Sequence, residues 1–185
     1  MATNQPLSVF ISTNLTELAK ERLAVQGALA EYSRHGWLWE KDAGAHPKPI
    51  GSTFLKEVEA CDIYIGLFWL DYGPHTIKEY EHACKHQKPC LIYEKHIDID
   101  QRNPKLQAFL DRLQQMKNPD GRLTIYRFAT PIELAEQVQK DVIRLLFTRF
   151  RESRRQPPPL PTSSSTTTSP KNKGIAINQT VAINE

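Results

Sequence analysis

Glu79 heads the residues that could do chemistry. It stands in Thr76-Ile-Lys-Glu79, at the expected opening of a helix that follows Trp69-Leu-Asp-Tyr-Gly73. A carboxylate beside a sugar can stabilise positive charge that develops at the anomeric carbon. The N–H groups of a helix's first turn would keep it ionised. Trp69 and Tyr72 offer flat faces on which a base or nicotinamide ring stacks. Asp71 and Thr76 face the same edge, and Ser12 and Thr13 could hydrogen-bond phosphate or ribose hydroxyls. A plainer reading stands beside this one. Thr-x-x-Glu is also a capping box, which alone accounts for Thr76 and Glu79, and Trp69 and Tyr72 also fit a core. Local pattern leaves both readings open.

Other chemistry is less well served. Neither Gly-x-x-x-x-Gly-Lys-Ser/Thr nor Gly-x-Gly-x-x-Gly occurs, so phosphate cradles of those types are absent. His82 and His86 have i,i+4 spacing but lack the glutamate of His-Glu-x-x-His; they read as an exposed helix face, and no metal is expected. Cys84 has no evident base. The three cysteines, Cys61, Cys84 and Cys90, include no Cys-x-x-Cys and read as buried thiols of a cytoplasmic protein.

Elements that would position Glu79 follow from alternation along residues 7–150. Strands are expected at 7–12, 36–40, 62–70, 89–93 and 123–128, with the third covered on both faces. Helices are expected after Asn14, at 54–60, at 76–85, from Asn103, and from Thr130 to about Arg151, with residues 41–51 as a loop and 118–121 as a turn. Five strands alternating with five helices predict an α/β flavodoxin-like three-layer sandwich. Its five-stranded, mostly parallel sheet would have the order 2-1-3-4-5. The ligand crevice of such a sheet lies beyond the carboxyl ends of strands one and three. That is where the residues above would meet.

Charge and composition set the outer limits. Of 24 Lys+Arg and 21 Asp+Glu, five basic and two acidic residues lie beyond Phe150, so residues 1–150 carry 19 of each sign. A neutral domain gives no footprint for a phosphate backbone, and nucleic acid is not an expected partner. No apolar run reaches the ~18–20 residues of a membrane span, and Met1–Pro6 lacks the basic and apolar regions of a secretory signal. Between Ser153 and Pro170 there are five prolines and nine Ser/Thr. The expected organisation is a domain at 7–151, a Pro/Ser/Thr-rich disordered linker at 152–173 and a terminal motif at 174–185.

Several motifs in order resemble a known family. They are Val9-Phe-Ile-Ser-Thr13, Glu21-Arg22-x-Ala24-Val25, Glu57-Val-Glu-Ala-Cys-Asp-Ile-Tyr-Ile-Gly66, Asp71-Tyr-Gly73, Glu79-Tyr-Glu-x-Ala83 and Lys88-Pro89. Together they resemble the TIR-like domain of unknown function found in front of NACHT and other STAND NTPases, closely over about residues 7–95. That family is similar to TIR domains and to nucleoside 2-deoxyribosyltransferases. The resemblance implies cleavage of an N-glycosidic bond with Glu79 in the central role and NAD as substrate rather than cofactor. Where the family commonly carries Ser-x-Thr-Glu-x-Glu, this chain has Pro74-His-Thr-Ile-Lys-Glu79. The rival readings are a non-catalytic TIR-like signalling or oligomerisation module and a nucleoside or nucleotide N-glycosidase.

At the terminus, Ile175, Ile177, Gln179, Val181 and Ile183 alternate with small and amide residues that include Asn178 and Asn184. An extended strand of this pattern has one branched apolar face and one face able to form amide ladders. It resembles the amyloid signalling motifs of bacterial effectors. The resemblance implies templated assembly with an NLR-like STAND NTPase bearing a matching motif, and self-association of the TIR-like domains. An added edge strand or a plain tail is the alternative. The combined expectation is a cytoplasmic immune or cell-death effector that hydrolyses NAD once clustered.

Overall fold

Ile63-Tyr-Ile-Gly-Leu-Phe68 is buried at every position, which is what a strand packed on both faces requires. It is β3, the middle of the sheet. The computed structural model describes residues 7–14, 16–30, 32, 35–37, 50–115, 117–118, 121–122 and 124–155. In chain order the elements are β1 (Ser8–Thr13), α1 (Ala19–Leu29), β2 (His35–Trp37), α2 (Ile50–Ala60), β3 (Ile63–Phe68), α3 (Pro74–Lys85), β4 (Cys90–Lys95), a 3-10 turn (Ile99–Gln101), α4 (Pro104–Gln115), β5 (Lys117–Asn118), β6 (Gly121–Arg122), β7 (Ile125–Phe128) and α5 (Pro131–Arg155). The main sheet runs β2-β1-β3-β4-β7 with every pairing parallel, so each crossover carries a helix.

Period-two alternation divides the core. Val9, Ile11, Ile63, Ile65, Leu67 and Tyr93 pack under α1 and α5, against Val25, Leu29, Leu134, Val138 and Val142. Phe10, Tyr64, Phe68 and Ile92 face α2, α3 and α4, against Val58, Ile77, Tyr80, Ala83, Leu106 and Phe109. The α/β class and its parallel sheet agree with the sequence reading. No helix among the described residues is long and apolar enough to cross a membrane.

Element ends depart from expectation where caps decide. α2 starts at Ile50, inside the expected loop, and β2 (His35–Trp37) begins one residue before the expected 36–40, of which 38–40 lie outside the described residues. α3 starts at Pro74, because a proline suits the first helical position and Gly73 takes the cap without a side-chain bond. The turn expected at 118–121 carries its own antiparallel pair, β5 with β6. α5 opens as expected: Glu133 N donates to Thr130 Oγ1 at 3.2 Å, and Ala129 N donates to Glu133 Oε2 at 2.8 Å. It continues through Arg155, so the first four residues of the expected linker are helical. The rest of that linker and the terminal motif lie outside the described residues.

Gly66 lies where the sheet leaves no room for a side chain. A Cβ there would meet Ile92 Cδ1 and Phe68 Cε2 at 3.0 Å and Tyr64 Cε1 at 3.2 Å. Gly66→Ala is therefore expected to lose about 1–3 kcal/mol by overpacking. A urea titration gives the figure, and a loss under 0.5 kcal/mol would contradict this crowding.

Candidate functional site

Beyond the carboxyl ends of β1 and β3, the two faces of the sheet build two different polar groups. Ser12 lies on the α3 side with Phe10 and Tyr64, and Thr13, one residue on, points to the α1 side. The sequence reading pooled them; the pleat separates them. Each face must be considered by itself.

On the α3 face, the Ser12 hydroxyl donates to Glu79 Oε2 at 2.5 Å, joining β1 to α3 across 67 residues of chain. Ser12 is 2% exposed and Glu79 is partly buried. Tyr64, fully buried below them, donates its hydroxyl to the Thr76 carbonyl at 3.3 Å. Burial pushes the Tyr64 hydroxyl well above its ordinary value, and the nearby Glu79 charge adds to this.

Two expectations about Glu79 are corrected here. With α3 opening at Pro74, Thr76 sits inside the first turn and Glu79 in the second, so they form no capping box. Glu79 is also past the free N–H groups that were expected to keep it ionised. Burial decides instead, raising its carboxyl to about 7 against the lowering effect of the Ser12 hydrogen bond. At neutral pH both protonation states are populated.

On the α1 face, Thr13 Oγ1 and Trp69 Nε1 are buried without a hydrogen-bond partner among the described residues. The Trp69 ring packs against the α1/α5 core and lies 4.2 Å from Lys95 Nζ, so that face already holds a cation. Lys95 Nζ donates in turn to Glu21 Oε1 at 2.6 Å.

Past the carboxyl end of β3 lies a narrow surface concavity that opens to solvent and is lined by neither Ser12, Thr13 nor Glu79. Its lining includes Trp69, Asp71, Gly73 and Thr76. Glu17 closes one wall. Its carboxylate accepts from Leu70 N at 3.2 Å, Asp71 N at 3.0 Å and Asn14 Nδ2 at 2.9 Å, so Asn14 and Glu17 pin the loop after β3 rather than cap α1. Burial raises the Glu17 carboxyl despite these donors.

The structure therefore brings Ser12 to Glu79, and Trp69, Asp71 and Thr76 to the concavity. Tyr72 packs against the α2/α3 core, and Thr13 stays on the opposite face. Ile175, Ile177, Asn178, Gln179, Val181, Ile183 and Asn184 lie outside the described residues.

Sequence reasoning missed the buried pair of Glu94 and Arg102. Arg102 Nη1 donates to Glu94 Oε1 at 2.5 Å, and its Nε donates to the Trp69 carbonyl at 2.9 Å. It thereby holds the loop that lines the concavity. The available signal was a glutamate ending the apolar run Leu91-Ile-Tyr-Glu94.

Comparison with known proteins adds the following. The family described as "Domain of unknown function (DUF4062)" matches residues 8–143. Among solved structures, a CMP N-glycosidase of Clostridium botulinum, BcmB, is similar: 14% identical, with a TM-score of 0.48, covering 72% of this chain and 98% of that one. No curated protein matches the chain.

Proposed function

The chain belongs to the DUF4062 family, and on that premise we propose that its domain is a TIR-like N-glycosidase that cleaves the base from a nucleotide, with Glu79 at the anomeric carbon. The observation that carries this reading is the Ser12–Glu79 pair. It fixes one half-buried carboxyl at the switch edge of a parallel sheet, with its ionisation poised near neutrality.

NAD is the proposed substrate, as the resemblance of the sequence motifs implies. A cationic nicotinamide needs no proton to depart. The C1′–N bond breaks, its electron pair passes to the ring nitrogen, and ionised Glu79 faces the positive charge left at C1′. Water then adds its oxygen to C1′ and releases a proton, giving nicotinamide and an ADP-ribose product. Ser12 positions Glu79; Asp71 and Thr76, which line the concavity with Trp69, are the proposed contacts to ribose. The strand order β2-β1-β3-β4-β7 supports a TIR-like, flavodoxin-like winding.

In this proposal the terminal motif, residues 174–185, clusters the domains by pairing with a matching motif of an NLR-like STAND NTPase. One strand pairs weakly, and many tethered copies gain avidity. The whole would be an effector of a prokaryotic immune or cell-death pathway.

A second reading, a non-catalytic docking module, is favoured by Glu17 and Lys95. They already occupy the polar wall of the concavity and one face of Trp69. The discriminating experiment incubates the full chain, free and forcibly clustered, with NAD, CMP and free nucleosides, and follows the released base by chromatography. Nicotinamide released by the clustered wild type and not by Glu79→Ala is the expected result. Equal inertness of both proteins in every arm leaves the docking module, and depletion of CMP or nucleosides alone transfers the activity to a nucleotide or nucleoside glycosidase.

A further inference from the structure

Three ligand atoms from two helices converge on the outer surface of α2 and α3, away from the Ser12–Glu79 pair. Glu59 belongs to the last turn of α2, His82 to the last turn of α3, and His86 to its C-cap. His82 Nε2 is 2.9 Å and His86 Nε2 is 3.5 Å from the same oxygen, Glu59 Oε1. All three ligand atoms lie within 4.8 Å of one another. A zinc ion bonds such atoms at about 2.0–2.2 Å, which sets adjacent tetrahedral ligands roughly 3.3 Å apart. Both nitrogen-to-oxygen separations are close to that value.

Hydrogen bonding fixes the orientation. The His82 carbonyl can only accept, so the His86 ring donates Nδ1–H to it at 2.9 Å. In the neutral ring this puts the lone pair of His86 on Nε2, facing the Glu59 oxygen, which is itself an acceptor. A metal cation held between them makes that approach favourable. The two imidazole rings lie with centroids 4.3 Å apart, close enough for both to reach one ion. A single divalent ion that displaces the His82 Nε2 proton satisfies both nitrogens and the carboxylate together. A backbone carbonyl that holds the second ring nitrogen of a histidine is the usual outer support of a metal ligand.

We propose that Glu59, His82 and His86 form a zinc site that staples α2 to α3. Two imidazoles and one carboxylate suit zinc and its transition-metal neighbours better than magnesium or calcium. The three side chains are 46%, 18% and 35% exposed, so the fourth position faces solvent and takes water. The third ligand comes from another helix, which is why the His82/His86 spacing alone did not suggest it. His82 follows Glu79 by three residues, so an occupied site fixes the helix that carries the proposed catalytic carboxyl.

The test titrates the full chain, stripped with a chelator, with Zn²⁺ against a chromophoric competitor, and records Co²⁺ spectra in parallel. Wild type is expected to bind zinc with a thermal midpoint that rises with its concentration. His82→Ala and Glu59→Gln should each weaken one equivalent at least tenfold and abolish the tetrahedral Co²⁺ bands, while His75→Ala changes neither. None of these side chains belongs to the hydrophobic core, and circular dichroism checks that each variant is folded. Undiminished zinc binding in His82→Ala overturns the proposal. So does zinc lost from Cys84→Ser instead, or a wild type that binds none at micromolar concentrations.

Discussion

Glu79→Gln is expected to lose base release by about 10²–10³-fold or more and, at pH 8, to unfold at a higher urea concentration than the wild type. The rate loss follows from removing the one charge that faces C1′ in the proposed reaction. The gain in stability follows from the same burial. The carboxyl of Glu79 lies near 7 in the folded protein against an ordinary value of 4.5. Between those two values the folded state holds the proton and the unfolded state does not. Stability from this group is therefore complete below about pH 4.5 and is lost as pH rises through 7. Each unit of difference corresponds to about 1.4 kcal/mol. Glutamine, which has no charge to bury, should recover about 1–3 kcal/mol at pH 8 and little at pH 4. The acid limb of the wild-type kcat/KM profile should rise through about pH 7, since the reaction uses the ionised form. A variant that loses activity and also loses stability at pH 8 would make Glu79 a structural residue. A variant that retains activity ends the enzymatic reading.

What was legible in the sequence was whatever depends on neighbours along the chain. The apolar run Ile63–Phe68 announced a strand buried on both sides, and Thr130-Pro-Ile-Glu133 announced the start of α5 with its cap. Glu79 was legible as a residue worth attention. Its state was not, because Gly73-Pro74 starts the helix two residues before Thr76 and shifts every position in it. A two-residue shift turned an expected first-turn carboxylate, held ionised, into a buried second-turn carboxyl. The pooling of Ser12 with Thr13 failed for a related reason. Both belong to β1, where side chains alternate, so only one can face α3. Partners far apart in sequence were beyond reach altogether. Glu59 meets His82 across 23 residues, and Arg102 binds the carbonyl of Trp69 across 33. No local period encodes such meetings; only the winding of the sheet produces them.

The largest loss of stability is expected from Arg102→Met. Arg102 is 5% exposed and its guanidinium gathers four acceptors from three segments: Glu94 Oε1 and the Lys95 carbonyl, at 3.3 Å, at the end of β4, the Trp69 carbonyl after β3 and Gln107 Oε1 at 2.9 Å on α4. Without it Glu94, itself 3% exposed, keeps among the described residues only the cation of Arg127, whose side chain is 60% exposed. An uncompensated charge in that setting costs about 3–5 kcal/mol. Glu94→Leu alone leaves Arg102 buried without its carboxylate and should cost a similar amount. The double variant Glu94→Leu/Arg102→Met removes both charges together, and its loss should be well below the sum of the single losses. Urea titrations of the four proteins measure the coupling directly. A second readout separates the ion pair's structural role from its role at the concavity. The carbonyl of Trp69 is held by Arg102, the backbone N–H groups of Leu70 and Asp71 by Glu17 and the Leu70 carbonyl by Asn103 N, so the double variant frees one anchor of that loop while the others remain. Its folded form should therefore bind nucleotide more weakly while Glu79 keeps its ionisation near 7. Single losses below 1 kcal/mol, or a double variant that is simply additive, would mean that Arg102 is no keystone of this edge.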